Sequence, residues 1–201
     1  HGRMQFDLDT SMPVPYPSTP RGTVVLLHGW MMDGGSLLPR SLQLAQAGYR
    51  TITLDLRNHG RSGAAPSGYG QREARDVADA IAALRARGEV VGPLHLMGVS
   101  YGAATAIFSA RELGLQVDNV IAIESFDNAG GAIRDMVPHM LSKPPESVSQ
   151  RISHRLLRMQ MDDGALERAI TSASDTLQLR LDRVDVGAAL AATPEALVAR
   201  L

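Results

Sequence analysis

The stretch "LHLMGVSYGAAT", residues 94–105, is a short apolar run that stops at a serine flanked two residues away on each side by glycine. Alone, Gly98-Val99-Ser100-Tyr101-Gly102 is a weak signal, since such a pentapeptide arises readily by chance and also suits a plain glycine turn. Its setting is more specific. The serine stands where a buried strand ends and a helix of small residues (Ala103, Ala104, Ala106) begins. A strand–turn–helix that sharp strains the backbone at the turn, and glycines two residues away let the two elements approach. The serine hydroxyl is then expected to stand free above the sheet, at a helix N-terminus.

Outward from this stretch, similar short runs recur at Thr23–Leu27, Thr51–Leu56 and Asn119–Ile123. Each is almost continuously apolar and bounded by Gly, Asn, Asp or Pro, as strands covered on both faces of a parallel sheet are. Helical patterns alternate with them. Leu37–Ala47 ends at Gly48, and Ala103–Leu113 ends at Gly114. Over Gln71–Arg87, Ala74, Val77, Ala78, Ile81 and Leu84 form one apolar stripe. Alternating strand and helix predicts an α/β architecture, a mostly parallel sheet flanked by helices, with right-handed crossovers. After Phe126 the texture changes. Gly130-Gly131 and Lys143-Pro144-Pro145 punctuate a stretch rich in Arg, Met, Ser and Asp, with amphipathic spacing at Ile152, Leu156 and Leu157 and again over Leu166–Ile170. This reads as helical material inserted above the sheet. The expected division is a core over 4–128, a helical insert over 129–190 and a return towards the core over 191–201.

Composition narrows the function classes. A net charge of −1 over 201 residues leaves no electrostatic footprint for nucleic acid, and no apolar stretch approaches the ~20 residues of a membrane span. With no cysteine, disulfides, thiolate catalysis and zinc–sulfur sites are excluded. The scattered histidines form no metal-ligand spacing, so neither metal nor cofactor is expected. His1-Gly2-Arg3 before Met4 reads as the end of a tag and linker, and no signal-like segment precedes Met4. The expected location is cytoplasmic.

Two further segments carry chemistry. Leu27-His28-Gly29-Trp30 follows the first strong strand. Acyl transfer needs backbone N–H donors aimed at a developing oxyanion. Trp30, or Gly29, is the candidate donor from this loop, and Tyr101 the candidate just after the serine. His28 is read as a strand-end histidine that shapes the donor loop. The third segment, "LDLRNHGRSG" at residues 54–63, follows the second strand. The HG loop, a D-x-R-x-H-G-x-S segment after the next strand, and the serine turn occur in the order that resembles the α/β-hydrolase family, over residues 20 to about 128. The resemblance implies a serine hydrolase with Ser100 as nucleophile and Trp30 and Tyr101 as oxyanion donors. Asp55, Arg57, His59 and Ser62 are read as loop architecture.

The proton acceptor is harder to find. The family's order is Ser, then an acid, then His. Here the stretch "RVDVGAALAATPEALVARL" runs to Leu201 with no terminal histidine segment, and Thr193-Pro194-Glu195 equally suits a helix start. Asp127, just after the fourth strand, is the candidate acid, with Glu124 weaker. His139 and His154, both in the insert, are the weak candidates for the base, while His95 lies inside the serine's own strand. The expectation is that further sequence beyond Leu201 carries the missing acid and histidine. The function expected is cleavage of a small-molecule acyl or aryl ester through a Ser100 acyl-enzyme. The methionines Met31, Met32, Met136, Met140, Met159 and Met161 suggest an adaptable apolar surround. The different-class alternative is a non-catalytic or partner-completed binding protein on a truncated scaffold, and a homo-oligomer stays open.

Overall fold

The computed structural model of the chain describes residues 19–142 and 163–194. Four strands, β1 (Thr23–Leu27), β2 (Arg50–Leu54), β3 (Leu94–Val99) and β4 (Asn119–Ile123), form one parallel sheet in the order β2-β1-β3-β4. The chain therefore begins in the middle of the sheet, steps outward to β2, and returns past β1 to add β3 and β4. In such sheets the point where the order reverses, here between β1 and β3, leaves a crevice beyond the strands' C-terminal ends. Leu27 pairs with Gly98, so both strands end side by side.

Side chains alternate between the two faces, as the period of a strand requires. Val25, Leu27, Leu94, Leu96 and Val120 face α2 (Gln71–Ala86) and α3 (Tyr101–Leu113) in the main core. Val24, Leu26 and Met97 point the other way, against Leu37, Leu44 and Tyr49 from the segment containing α1 (Leu38–Gln46). The α1 region begins one turn earlier than its apolar pattern suggests, as a 3-10 turn over Gly34–Leu37 capped by Asp33.

Helix α3 is buried on nearly every side, from Tyr101 through Ala110. That explains its run of alanines, since larger side chains find no room between sheet, α2 and the later helices. The buried hydroxyls of Thr105 and Ser109 are satisfied within the helix: Thr105 donates to the Tyr101 carbonyl at 2.9 Å and Ser109 to the Thr105 carbonyl at 2.7 Å.

Beyond β4 come α4 (Ala129–Ser142), α5 (Asp163–Leu177) and the short α6 (Val186–Ala191). The amphipathic stretch around Ile152 lies outside the described residues. Gly130-Gly131, punctuation to the eye, are in fact the first turn of α4, which also accommodates Pro138. The reason is tertiary: a Cβ on Gly130 would overlap the Asp182 carboxylate, so glycine is what lets the helix start against the 181–183 turn. Arg134 of α4 then forks to Glu167 of α5 at 2.6 and 2.8 Å and to Asp182 at 2.6 Å, tying three segments with one guanidinium. Leu181, Val184, Val186 and Ala189 are buried in the main core, α6 lying against α3.

The closest backbone approaches decide a prediction. A Cβ on Gly102 would overlap the Leu27 carbonyl, whereas one on Gly63 would meet nothing within 4 Å. Gly102→Ala is expected to lower unfolding stability in urea by more than about 2 kcal/mol, as overpacking against backbone does. Gly63→Ala should change it by less than about 0.5 kcal/mol. Equal effects at the two positions would contradict the packing described.

Candidate active site

Ser100 links β3 to α3 with φ 54° and ψ −112°, a region costly for any residue with a side chain. Its backbone is over-determined. The N–H donates to the Ile123 carbonyl of the neighbouring strand at 2.8 Å, and the carbonyl accepts from Ala103 and Ala104 at 2.9 and 3.1 Å. The turn closes because neither Gly98 nor Gly102 has a Cβ: one on Gly98 would overlap the Gly102 backbone. The hydroxyl makes no capping bond to the helix it starts. Tyr101 is the first residue of α3, and the N–H groups of a helix's first turn have no partner within the helix. The aligned peptide dipoles of α3 add partial positive charge at the same place. An activated alkoxide and a nearby oxyanion are both favoured there.

Opposite the serine runs the loop after β1. A Cβ built on Gly29 would lie 3.9 Å from Ser100 Cβ, so the loop backbone lies against the serine. Its shape is set by His28, which is fully buried. The His28 Nε2 accepts from the Leu56 N–H at 3.0 Å, so Nδ1 carries the proton and donates to the Gly29 carbonyl at 2.8 Å. Both ring nitrogens are thereby used by backbone, and burial lowers the pKa of the imidazole. His28 has no free nitrogen with which to take a proton from Ser100.

The loop after β2 completes the wall. Asp55 accepts from the Gly34 N–H at 2.7 Å and the Arg61 N–H at 2.9 Å, and these bonds hold its carboxyl below the usual range. Arg57 forks onto Asp76 at 2.6 and 2.7 Å. The His59 ring wedges against His28, Trp30 and Tyr101, with centroids 5.1, 5.2 and 5.8 Å away. Trp30 in turn stacks on Tyr69 at 5.5 Å and meets the edge of Tyr101 at 5.1 Å. Beneath them the buried Glu73 accepts from the Gly68 and Gly70 N–H groups at 2.8 and 2.7 Å, holding the loop that presents Tyr69. Burial, and then the Glu73 charge, push the Tyr101 phenol far up, so it stays neutral. Tyr69, Glu73 and the ring role of His59 escaped the sequence reading. The Gly-Tyr-Gly before α2 marks a turn, but nothing local says which ring it will meet.

The acid and base candidates are placed differently. Asp127 belongs to the loop after β4, whose carbonyl accepts from the Val186 and Gly187 N–H groups at 2.8 and 3.1 Å. Its carboxylate packs so closely on Gly187 that a Cβ there would overlap it. Glu124, directly after β4, is exposed with φ 54°. His139 is exposed on α4, and no described contact joins it, Glu124 or Asp127 to Ser100. His154 lies outside the described residues. His95 sits near the opposite end of β3, bonded to Asn119 at 3.1 Å and edge-on to Tyr49 at 5.8 Å.

A family model described as "Alpha/beta hydrolase family" matches residues 24–200. The chain belongs to the α/β-hydrolase family. Among solved structures, the Pyrococcus furiosus esterase Pf2001 in one crystal form matches with TM-score 0.54 and 22% identity, over 67% of this chain and 51% of that one. A second crystal form gives TM-score 0.52 and 23% identity, over 61% and 51%. An esterase from Exiguobacterium antarcticum matches at TM-score 0.49 and 21% identity, over 86% and 70%. Against the archaeal esterase the α/β-hydrolase chain spans about half the partner's length. No curated protein matches it in sequence. No helix among the described residues is long and apolar enough to cross a membrane.

The buried imidazole yields a prediction with a definite sign. A histidine whose folded pKa is lowered binds more protons when unfolded, so its contribution to stability is complete above the unfolded value of about 6.5. That contribution shrinks as pH falls below this value, until the folded pKa is passed. The urea midpoint should drop on acidification below about pH 6.5, and His28→Gln should remove part of that slope. Nitrogen-15 spectra at pH 7 should show His28 as the Nδ1–H tautomer; an Nε2–H signal would contradict the two backbone bonds.

Proposed function

We propose that this chain carries the nucleophile and oxyanion-binding elements of a serine hydrolase that cleaves carboxylic esters, with acyl or aryl esters as its substrate class. The observation that carries the reading is the strained Ser100, its hydroxyl making no capping bond, at the N-terminus of α3 and against the Gly29 loop. The Ser100 hydroxyl attacks the ester carbonyl carbon while its proton passes to a base. The tetrahedral oxyanion is held by the N–H of Tyr101 and by Trp30 or Gly29 from the loop after β1. Collapse breaks the carbon–oxygen bond and expels the alcohol, which takes the proton. Water then attacks the acyl-enzyme, releasing the acid and restoring the serine.

His28, with both nitrogens engaged, and the exposed His139 are poor bases in this arrangement. We assign the proton acceptor to a histidine outside the described residues. Residues 4–128 are read as the core, the helical stretch 129–190 as a cap insert and 191–201 as the return towards the core, and Asp127 stands as the candidate acid. The exposed apolar side chains Trp30, Met31, Met32, Met136 and Met140 suit an uncharged, flexible substrate group.

A fluorophosphonate probe tests the nucleophile directly. The wild-type chain is expected to label at one site, mapped to Ser100, and Ser100→Ala should abolish labelling. Loss of the serine or histidine of a complete triad costs about 10⁶ in turnover, so His154→Ala should slow labelling by orders of magnitude if His154 is the base. No labelling, or labelling that survives Ser100→Ala, would leave the scaffold as a binding protein.

A further inference from the structure

The loop after β1 carries two adjacent methionines, Met31 and Met32, and the proposed chemistry gives neither sulfur a reaction. The loop turns on itself there: the Met32 N–H donates to the Gly29 carbonyl at 3.2 Å, and the same carbonyl accepts from His28. A Cβ built on Gly29 would lie 3.3 Å from the Met32 sulfur, 3.7 Å from the Val99 carbonyl oxygen and 3.9 Å from Ser100 Cβ. One small volume beside Gly29 is therefore bordered by both the thioether and the serine. No described hydrogen bond engages the N–H of Gly29 or of Trp30, the two candidate oxyanion donors of this loop.

Met32 is also open to reagents from solvent, being 51% exposed where Met97 in the sheet is 8%. A peroxide converts such a thioether to the sulfoxide, and an apolar, flexible side chain becomes a polar, chiral one. Met31 is more exposed still, at 82%, and so has little protein surface to disturb. Position separates the pair. The Met32 sulfur is the nearest atom, beyond the chain neighbours, to the Gly29 position that faces Ser100.

We propose that Met32 is an oxidation site at which hydroperoxides switch the serine site off reversibly. The sulfur takes the terminal oxygen of the hydroperoxide: the S–O bond forms as the O–O bond breaks. The thioether is oxidised by two electrons and the peroxide is reduced, its own proton passing to the departing oxygen, which leaves as alcohol or water. The new sulfoxide oxygen is a strong hydrogen-bond acceptor beside Gly29. There it draws off a loop N–H otherwise available to the oxyanion, and it occupies part of the volume shared with Ser100. Thiol-driven methionine sulfoxide reductases, one for each sulfoxide epimer, reverse the step. The effect on reaction rests on the reading of Ser100 as nucleophile; the oxidation site itself rests on exposure and geometry.

Hydrogen peroxide is the probe, and peptide mass spectrometry reads which methionines it reaches. Met32 is expected to oxidise well before Met97. Fluorophosphonate labelling of the treated chain should fall at least about tenfold from its untreated rate, since one lost oxyanion donor costs about 10²–10³ in turnover. The two reductases together should restore it. Met32→Leu should keep its own untreated rate after the same treatment, although Met31 is still oxidised, whereas Met31→Leu should lose labelling as the wild type does. Met32→Gln, with a permanent polar amide in place of the sulfoxide, should label slowly without peroxide. The proposal is overturned if Met32 oxidises no faster than Met97, if fully oxidised Met32 leaves labelling unchanged, or if Met32→Leu is inactivated like the wild type. Should Met32→Leu fail to fold, Met32→Gln decides, and labelling at the wild-type rate overturns the idea. An untreated chain that does not label would instead sink the nucleophile. The Ser100 N–H signal then decides the oxidation site: a peroxide-induced shift in the wild type and not in Met32→Leu leaves it standing, and no shift removes it.

Discussion

The contact on which the architecture turns is backbone against backbone: the first turn of α3 lies against the ends of β1 and β3 where Gly98 and Gly102 remove every Cβ. With any side chain at either position, α3 would have to move away from the sheet. The Ser100 backbone could then keep neither its bond to Ile123 nor its strained dihedrals. Strain of roughly 1–3 kcal/mol persists only where the surroundings enforce it. Here the enforcement is a buried helix of alanines that cannot slide, because Leu27, Leu96 and Val120 are packed below it and α2 and α6 beside it.

Around that contact, each loop at the C-terminal edge of the sheet is pinned by one side chain spending two hydrogen-bonding atoms on backbone. His28 binds Gly29 and Leu56, Asp55 binds Gly34 and Arg61, and Glu73 binds Gly68 and Gly70. Loops fixed in this way keep their N–H groups aimed without help from a substrate. That preorganisation is what makes an oxyanion site effective, since donors that must reorganise during reaction lose most of their advantage. The same economy gives these titratable groups structural work, which is why a histidine beside the candidate nucleophile is not its base.

How much of this could be read from the sequence depends on the range of the contact. The boundaries of β1, β3 and β4 follow directly from their apolar runs, and β2 is offset by one residue at its start and two at its end, where Asp55 and Leu56 leave the sheet for the loop. The serine turn was legible because its requirements are local: two glycines and a following run of alanines. Helix α4 was not, because Gly130, Gly131 and Pro138 all argue against it, and only the distant Asp182 explains the first of them. The ring cluster was equally hidden. Trp30, His59, Tyr69 and Tyr101 come from four separate segments, and only the folded sheet brings them together.

That cluster joins, through Trp30, the loop that lies against Ser100 to a cavity under α5. Its backbone belongs to the loop that faces Ser100, and its ring, 38% exposed, is one wall of the cavity under α5. The ring is not held by burial. It is held by the Tyr69 stack and by the edges of His59 and Tyr101, each such pair contributing about 0.5–1.5 kcal/mol beyond its area. Three modest contacts suffice to fix one rotamer, and a fixed rotamer fixes the backbone that carries it. A group seated against the ring would therefore press on the loop whose Gly29 backbone lies against Ser100. Ring and loop are coupled through a single side chain, with no moving element required between them.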